Sequence, residues 1–195
     1  MKQYWALSLI GTVIVATACG ETPEPAEPPA ASTAAADLPS AGTIERLDEA
    51  LDSLVPPDAV IEHLADGFGF TEGPVWVRGG GPFLLFSDIP ADTIYRWTST
   101  KGIEPYINPS RHSNGLTFDS QGRLIACEHG GRQVSRMAGD GVMQTVADRY
   151  QGKRLNSPND VVIHSNGGIY FTDPAYGIEP MESELNFQGV FRINI

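Results

Sequence analysis

One pattern recurs three times between residues 72 and 177 and restricts the fold more than any other feature. Asn156–Gly177 reads NSPNDVVIHSNGGIYFTDPAYG: a polar lead-in, a strand at Val161–His164, a turn at Ser165–Gly168, and a second strand, Ile169–Thr172, closing in Asp173. β-Branched and aromatic residues around an Asn-Gly mark a hairpin. Asn114–Glu128 (NGLTFDSQGRLIACE) and Glu72–Asp88 (EGPVWVRGGGPFLLFSD) repeat the plan, the latter with a longer Gly-rich turn. The alignment puts Glu72, Asn114 and Asn159 in one register position, 42 and then 45 residues apart. A third strand recurs at Ile94–Trp97, Val134–Met137 and Val190–Ile193. Three copies of a three- or four-stranded unit at that period predict an all-β fold, a β-propeller, whose blades run about 40–50 residues.

Strands are expected near 74–77, 83–87, 93–97, 103–107, 115–118, 123–127, 133–137, 142–147, 160–164, 169–172 and 189–194. Closing a propeller takes at least about four blades and usually more, because each blade buries its faces on its neighbours. Residues 59–195 supply about three, so the chain reads as a fragment of a longer protein, a truncated ring, with closure by association as the alternative. In the third repeat Ala175–Gln188 is a long insertion whose Tyr176, Pro180 and acidic residues suggest a loop, or lid, over one face.

The region before the repeats has three parts. Residues 1–18 carry Lys2, a short apolar run and then small residues, as a secretory signal peptide does; the run is too short to span a bilayer. Ala16–Cys19 is similar to a lipobox, which marks Cys19 for lipidation. Residues 19–42 are Pro-, Ala-, Glu- and Thr-rich and read as a disordered tether. Residues 43–58 read as a short helix and turn, with Ile44, Leu47, Leu51 and Leu54 at helical spacing, Thr43 as N-cap and Pro56-Pro57 as the stop. Val60–Leu64 reads as an outer strand. These segments imply an exported protein held to the bacterial envelope (outer membrane or periplasm) through a lipid anchor only. Cys127, in an apolar strand, reads as a small core hydrophobe.

With 24 acids against 13 bases the net charge is −11, which argues against nucleic acid because nothing here would neutralise phosphates. Cation binding remains open. Residues just before the inner strands of a propeller converge on one end of its axis. Glu72, Asn114 and Asn159 hold that position and all present side-chain oxygen, a donor set for a hard ion such as Ca²⁺ rather than for thiolate or imidazole chemistry. The competing reading is that each Asn only caps a turn. Asp88, Glu128 and Asp173 share another register position, where they either face the channel or pair with the recurring Arg96, Arg136 and Arg192. Asp160, next to Asn159, and Asp173 are the functional candidates among the acids, and His129 is a candidate pocket residue.

Glu72-Gly73-Pro74-Val75-Trp76, the block Asn114–Arg136 and the block Arg154–Gly177 together resemble the family of gluconolactonases, senescence marker protein (regucalcin) and luciferin-regenerating enzyme, over about Phe68–Ile195. That resemblance implies a six-bladed propeller with one divalent ion at the channel mouth, Ca²⁺ first, with Zn²⁺, Mg²⁺ or Mn²⁺ as alternatives. It implies a metal-ligand role for Glu72, a site role for Asn159 toward substrate or the metal's water, and substrate contact at Arg154. It does not carry the ligand role to Asn114, and the family's general-base aspartate would lie beyond residue 195, so the chain alone is expected to be inactive. The implied activity is hydrolysis of a sugar or related lactone. The alternatives are a calcium-dependent aryl- or phosphoester hydrolase and a non-catalytic envelope lipoprotein serving as a binding platform.

Overall fold

The computed structural model describes residues 41–194; the expected signal peptide, Cys19 and the tether up to residue 40 lie outside the described residues. Every strand expected from Thr71 onward forms. The first sheet is an antiparallel meander of β1 (Thr71–Val77), β2 (Phe83–Asp88), β3 (Thr93–Thr98) and β4 (Gly102–Ile107). The second repeats it with β5 (Ser113–Phe118), β6 (Leu124–Glu128), β7 (Gln133–Met137) and β8 (Met143–Ala147). A two-stranded hairpin of β9 (Arg149–Tyr150) and β10 (Lys153–Arg154), which the sequence does not signal, leads to the third sheet. That sheet comprises β11 (Val161–Ile163), β12 (Ile169–Asp173) and β13 (Gly189–Ile193). The result is an all-β, propeller-like arrangement of successive antiparallel blades.

Strand periodicity explains how the blades hold together. Successive side chains on a strand point to opposite faces, and β6 uses both. Its Leu124 and Ala126 join Leu85, Ile94 and Leu116 in a core with the first sheet. Its Ile125 and Cys127 join Val161, Ile169, Phe171, Leu155 and Leu185 in a core with the third. All five residues of β6 are buried, which is why LIACE lacks the apolar-polar alternation of a half-exposed strand. The cores therefore lie between blades rather than within them, and each fully buried Leu or Ile there contributes about 1.5–3 kcal/mol of transfer free energy. Cys127 is the core hydrophobe the sequence suggests: it is fully buried, and burial, with the nearby acids, raises its thiol pKa well above the usual range.

Three local expectations are corrected. The helix expected from Thr43 is a single 3-10 turn, Glu49–Ser53, capped by Asp48, whose carboxylate accepts from the Ala50 amide at 2.8 Å. Its Leu47 and Leu54 are exposed, so no apolar stripe is buried to propagate the helix. Val60–Leu64 is not a strand; only Glu62 makes an isolated bridge. The acids that close the second strands do not pair with Arg96, Arg136 or Arg192. Arg96 pairs across the sheet with Leu85, three residues from Asp88, and its guanidinium bonds Glu104 while lying over Phe83 and Tyr106. Arg192 lies over Tyr170.

Candidate functional site

The strand register tests the equivalence of the three lead-in residues. Leu116 pairs with Ala126, two residues before Glu128, and Val161 pairs with Phe171, two residues before Asp173. Asn114 and Asn159 each lie two residues earlier, and Glu72, opposite Ser87 beside Asp88, completes the set. β1 and β5 also shift register at the same place, between Glu72 and Val75 and between Ser113 and Leu116. The three positions are therefore structurally equivalent.

They are also brought side by side. Gly73 has φ +59°, and a Cβ there would overlap the Asn114 carbonyl oxygen and stand 2.9 Å from the Leu116 amide nitrogen. Only glycine lets the first inner strand approach the second this closely. Gly115 donates its amide to the Asn159 carbonyl at 2.7 Å, joining the second inner strand to the third. Cross-blade bonds from the second strands reinforce the series. Ser87 Oγ donates to the Asn114 carbonyl at 2.9 Å, and Cys127 Sγ reaches the Asp160 carbonyl at 3.6 Å. The carbonyls of Asn114, Asn159 and Asp160 are thus engaged across the blade boundaries, which leaves the side chains. Among the described residues, the Glu72 carboxylate and the side-chain amides of Asn114 and Asn159 have no hydrogen-bond or ion-pair partner. No group of three or more His, Cys, Asp and Glu stands together as a metal cluster among the described residues. One carboxylate with two amide oxygens is nevertheless a fitting donor set for a hard divalent ion.

The other candidates fall around this row in different ways. Asp173 is completely buried. Its Oδ2 accepts from the Asn156 amide at 2.8 Å, its Oδ1 has no partner, and burial raises its pKa above the ordinary carboxylate value. It presents no surface to a substrate and instead fastens the lead-in of its own blade. Asp88 does the same in the first blade, accepting from the amides of Gly69 and Phe70 at 3.0 and 3.1 Å. Glu128 uses side-chain donors, from Arg111, Gln133 and Ser135. Asp160 is exposed and accepts from the Val161 amide. Arg154 is half-buried on β10, and its amide donates to Glu184 at 2.8 Å.

His129 directly follows β6, at the end of the blade where the lead-ins begin. A Cβ on Gly177 would overlap its Nε2, so the insertion closes onto the imidazole through a glycine. Its Nδ1 is buried without a partner, and burial, followed by the charge of nearby His112, lowers its pKa. The insertion is fastened rather than loose: Leu185 enters the core, Gly177 donates to Ser157 Oγ at 3.0 Å, and Arg132 donates to the Glu182 carbonyl at 3.2 Å. Sequence reasoning missed Asn156, Ser157 and Arg132. A polar pair before a proline and an arginine in a Gly-Gly turn carry no periodic signal, because their partners are backbone groups distant in sequence. A separate cavity of about 360 Å³ borders Glu72 on the first sheet's other face, walled mainly by Phe68, Leu84, Phe86, Trp97 and Ile103.

Blades that meander antiparallel, bury their cores between one another and align three oxygen-bearing side chains at one end define a propeller-class protein with a polar mouth. The family model described as "SMP-30/Gluconolactonase/LRE-like region" matches residues 70–195. A gluconolactonase from Zymomonas mobilis subsp. mobilis is 35% identical over 173 residues, covering 78% of this chain and 48% of that protein. The solved structure of a Xanthomonas campestris gluconolactonase superposes with a TM-score of 0.68 at 33% identity, over 88% of this chain and 57% of that one. An X-ray structure of a provisionally named gluconolactonase gives 0.65 at 39% identity, over 72% of this chain and 51% of its own. The chain belongs to the SMP-30/gluconolactonase/LRE-like family, and it spans about half the length of the relatives it matches.

Proposed function

We propose that the chain is the N-terminal half of a six-bladed, divalent-metal-dependent lactone hydrolase acting on a sugar or related lactone. Residues 1–18 direct it out of the cell, and a lipid on Cys19 tethers it to the envelope. The observation that carries the hydrolase reading is the row of Glu72, Asn114 and Asn159 side chains, unpartnered among the described residues, at equivalent positions of adjacent blades. It occurs in a chain whose relatives are gluconolactonases. Glu72 would hold the ion, Ca²⁺ first, with amide oxygen from Asn159 and Asn114. When bound, a divalent ion at such a site polarises a carbonyl oxygen and stabilises charge developing on it. Asn159 orients the substrate or the attacking water. Arg154 approaches the substrate from β10, while His129 is held beneath the insertion. The carboxylate that takes the water's proton comes from outside these residues.

The test is acid release from glucono-δ-lactone in a pH-stat, run on the intact native protein. Hydrolysis should stop on chelation, return with Ca²⁺, and fall at least about 100-fold in Glu72→Gln, which keeps the side chain's size and removes its charge. Undiminished turnover after chelation refutes the metal; absence of lactone hydrolysis in the intact protein refutes the reading as a whole.

A further inference from the structure

Asn159 is presented by a segment, residues 155–159, in which every backbone N–H is tied down. Leu155 donates to the Asp148 carbonyl at 2.9 Å and accepts from Arg132 Nε at 2.8 Å. Ser157 donates both its amide and its hydroxyl to the Pro174 carbonyl, at 3.1 and 2.6 Å. Asn159 donates its amide to Thr172 at 2.9 Å. Within this segment Asn156 differs from the rest, because its side chain joins the lead-in to two other elements at once. Its Nδ2 donates to the carbonyls of Asp173 at 3.2 Å and Phe187 at 3.0 Å, and its Oδ1 accepts from Ser183 Oγ at 2.7 Å. Its own amide goes to Asp173 Oδ2. The residue is completely buried.

Those partners suit a primary amide: two carbonyl oxygens take its two donors, and its oxygen faces a hydroxyl that also bonds the Leu185 carbonyl at 2.6 Å. A carboxylate of the same shape would face two carbonyl oxygens with nothing to donate, and alanine would remove the side-chain donor from the buried Asp173 carbonyl. We propose that Asn156 is a positioning residue for Asn159. It locks the end of β12 and the insertion 175–188 onto the lead-in, so that the Asn159 side chain reaches the row with Glu72 and Asn114 in one fixed orientation. This rests on the proposed hydrolase reading for what Asn159 does, but not for the lock itself.

The experiment is a double-mutant cycle read by calorimetric titration of Ca²⁺ into the full chain. Outer partners of a metal ligand typically change affinity by about 10–100-fold, so Asn156→Asp is expected to weaken Ca²⁺ by at least about 10-fold. In an Asn159→Ala background the same change should cost less than about 2-fold, because its effect passes through Asn159. Equal losses in both backgrounds would mean a general structural role and overturn the assignment, as would no loss in either. If Asn156→Asp does not fold, Ser183→Ala, which removes the Oδ1 partner together with that hydroxyl's bond to the Leu185 carbonyl, is judged by the same two-background comparison. If the unsubstituted chain binds no Ca²⁺, the ion-site reading falls. The lock is then decided by amide exchange: Asn156→Asp must accelerate exchange at Ser157, Asn159 and Gly177 while β5–β8 stay protected, and unchanged exchange rejects it.

Discussion

Gly73→Ala tests the junction on which the candidate site depends. Gly73 has φ +59°, a left-handed conformation that costs an L-residue about 1–2 kcal/mol. Its added Cβ would meet the backbone of the next blade, at the Asn114 carbonyl and, at 2.9 Å, the Leu116 amide. Neither is a flexible side-chain end that can swing away. Overpacking of that kind costs about 1–3 kcal/mol, so the substitution should destabilise by about 2–5 kcal/mol. For a chain of this size that is a drop in Tm of about 4–20 °C. The assay is urea unfolding followed by tryptophan fluorescence, with Trp76 and Trp97 reporting from the first sheet. Gly79→Ala is the control, since nothing lies within 4 Å of a Cβ there and no left-handed φ is required; it should stay within about 1 kcal/mol of the parent. A Gly73→Ala chain within about 0.5 kcal/mol of the parent would refute the close approach of the first two blades and the placement of Glu72 beside Asn114.

Two further outcomes follow from buried charge. Arg132 is 8% exposed and donates to the Leu155 and Glu182 carbonyls across two chain segments, so Arg132→Met should cost about 2–4 kcal/mol in urea and speed exchange in 175–188; unaltered exchange there would disprove the cross-link. His129 has its folded pKa below the ordinary 6.5, because burial disfavours its charged form. As pH falls through about 6.5 the unfolded chain takes up the proton first. Stability is therefore intact above that value, declines toward the lower folded pKa, and levels off below it. His129→Gln should remove that decline from a series of unfolding curves, and its persistence in the variant would assign the titration to another group.

The repeat was legible because strands declare themselves through spacing. Hairpin residues such as Asn166-Gly167 and the acids Asp88, Glu128 and Asp173 fix register locally, and register fixes which lead-in residues are equivalent. The roles of those acids were not legible. From sequence, an acid and a recurring arginine look like partners, whereas the sheet sets Arg96 opposite Leu85 and leaves Asp88 to backbone amides. Glu128 shows the limit again, since three side chains from two segments converge on it. Helical spacing also misled at Thr43–Leu54, where exposed Leu47 and Leu54 find no surface to pack on. Local propensity alone does not hold so short a helix. Asn156 was invisible for a further reason: its partners lie 17, 27 and 31 residues ahead, two of them in an irregular loop.

The joints between blades show how a repeated plan avoids interchangeable blades. Asp92 and Arg132 occupy the same place, just before the residues that pair with Asp88 and Glu128, and both hold left-handed φ values, 51° and 56°. Each reaches the lead-in of the following blade, but with opposite polarity. Asp92 Oδ1 accepts from the Ser110 amide at 3.1 Å, the Ser110 hydroxyl at 3.2 Å and the His112 amide. Arg132 instead donates to the Leu155 carbonyl at 2.8 Å. An acid needs a lead-in that turns its N–H groups inward, and a guanidinium needs one that turns its carbonyls inward. Exchanging the two lead-ins would set carboxylate against carbonyl and leave a buried guanidinium facing amides, so the wrong order carries unpaired buried polar groups. The shared register and the order of the blades along the chain build the row of Glu72, Asn114 and Asn159, and two clasps of opposite polarity fasten its joints.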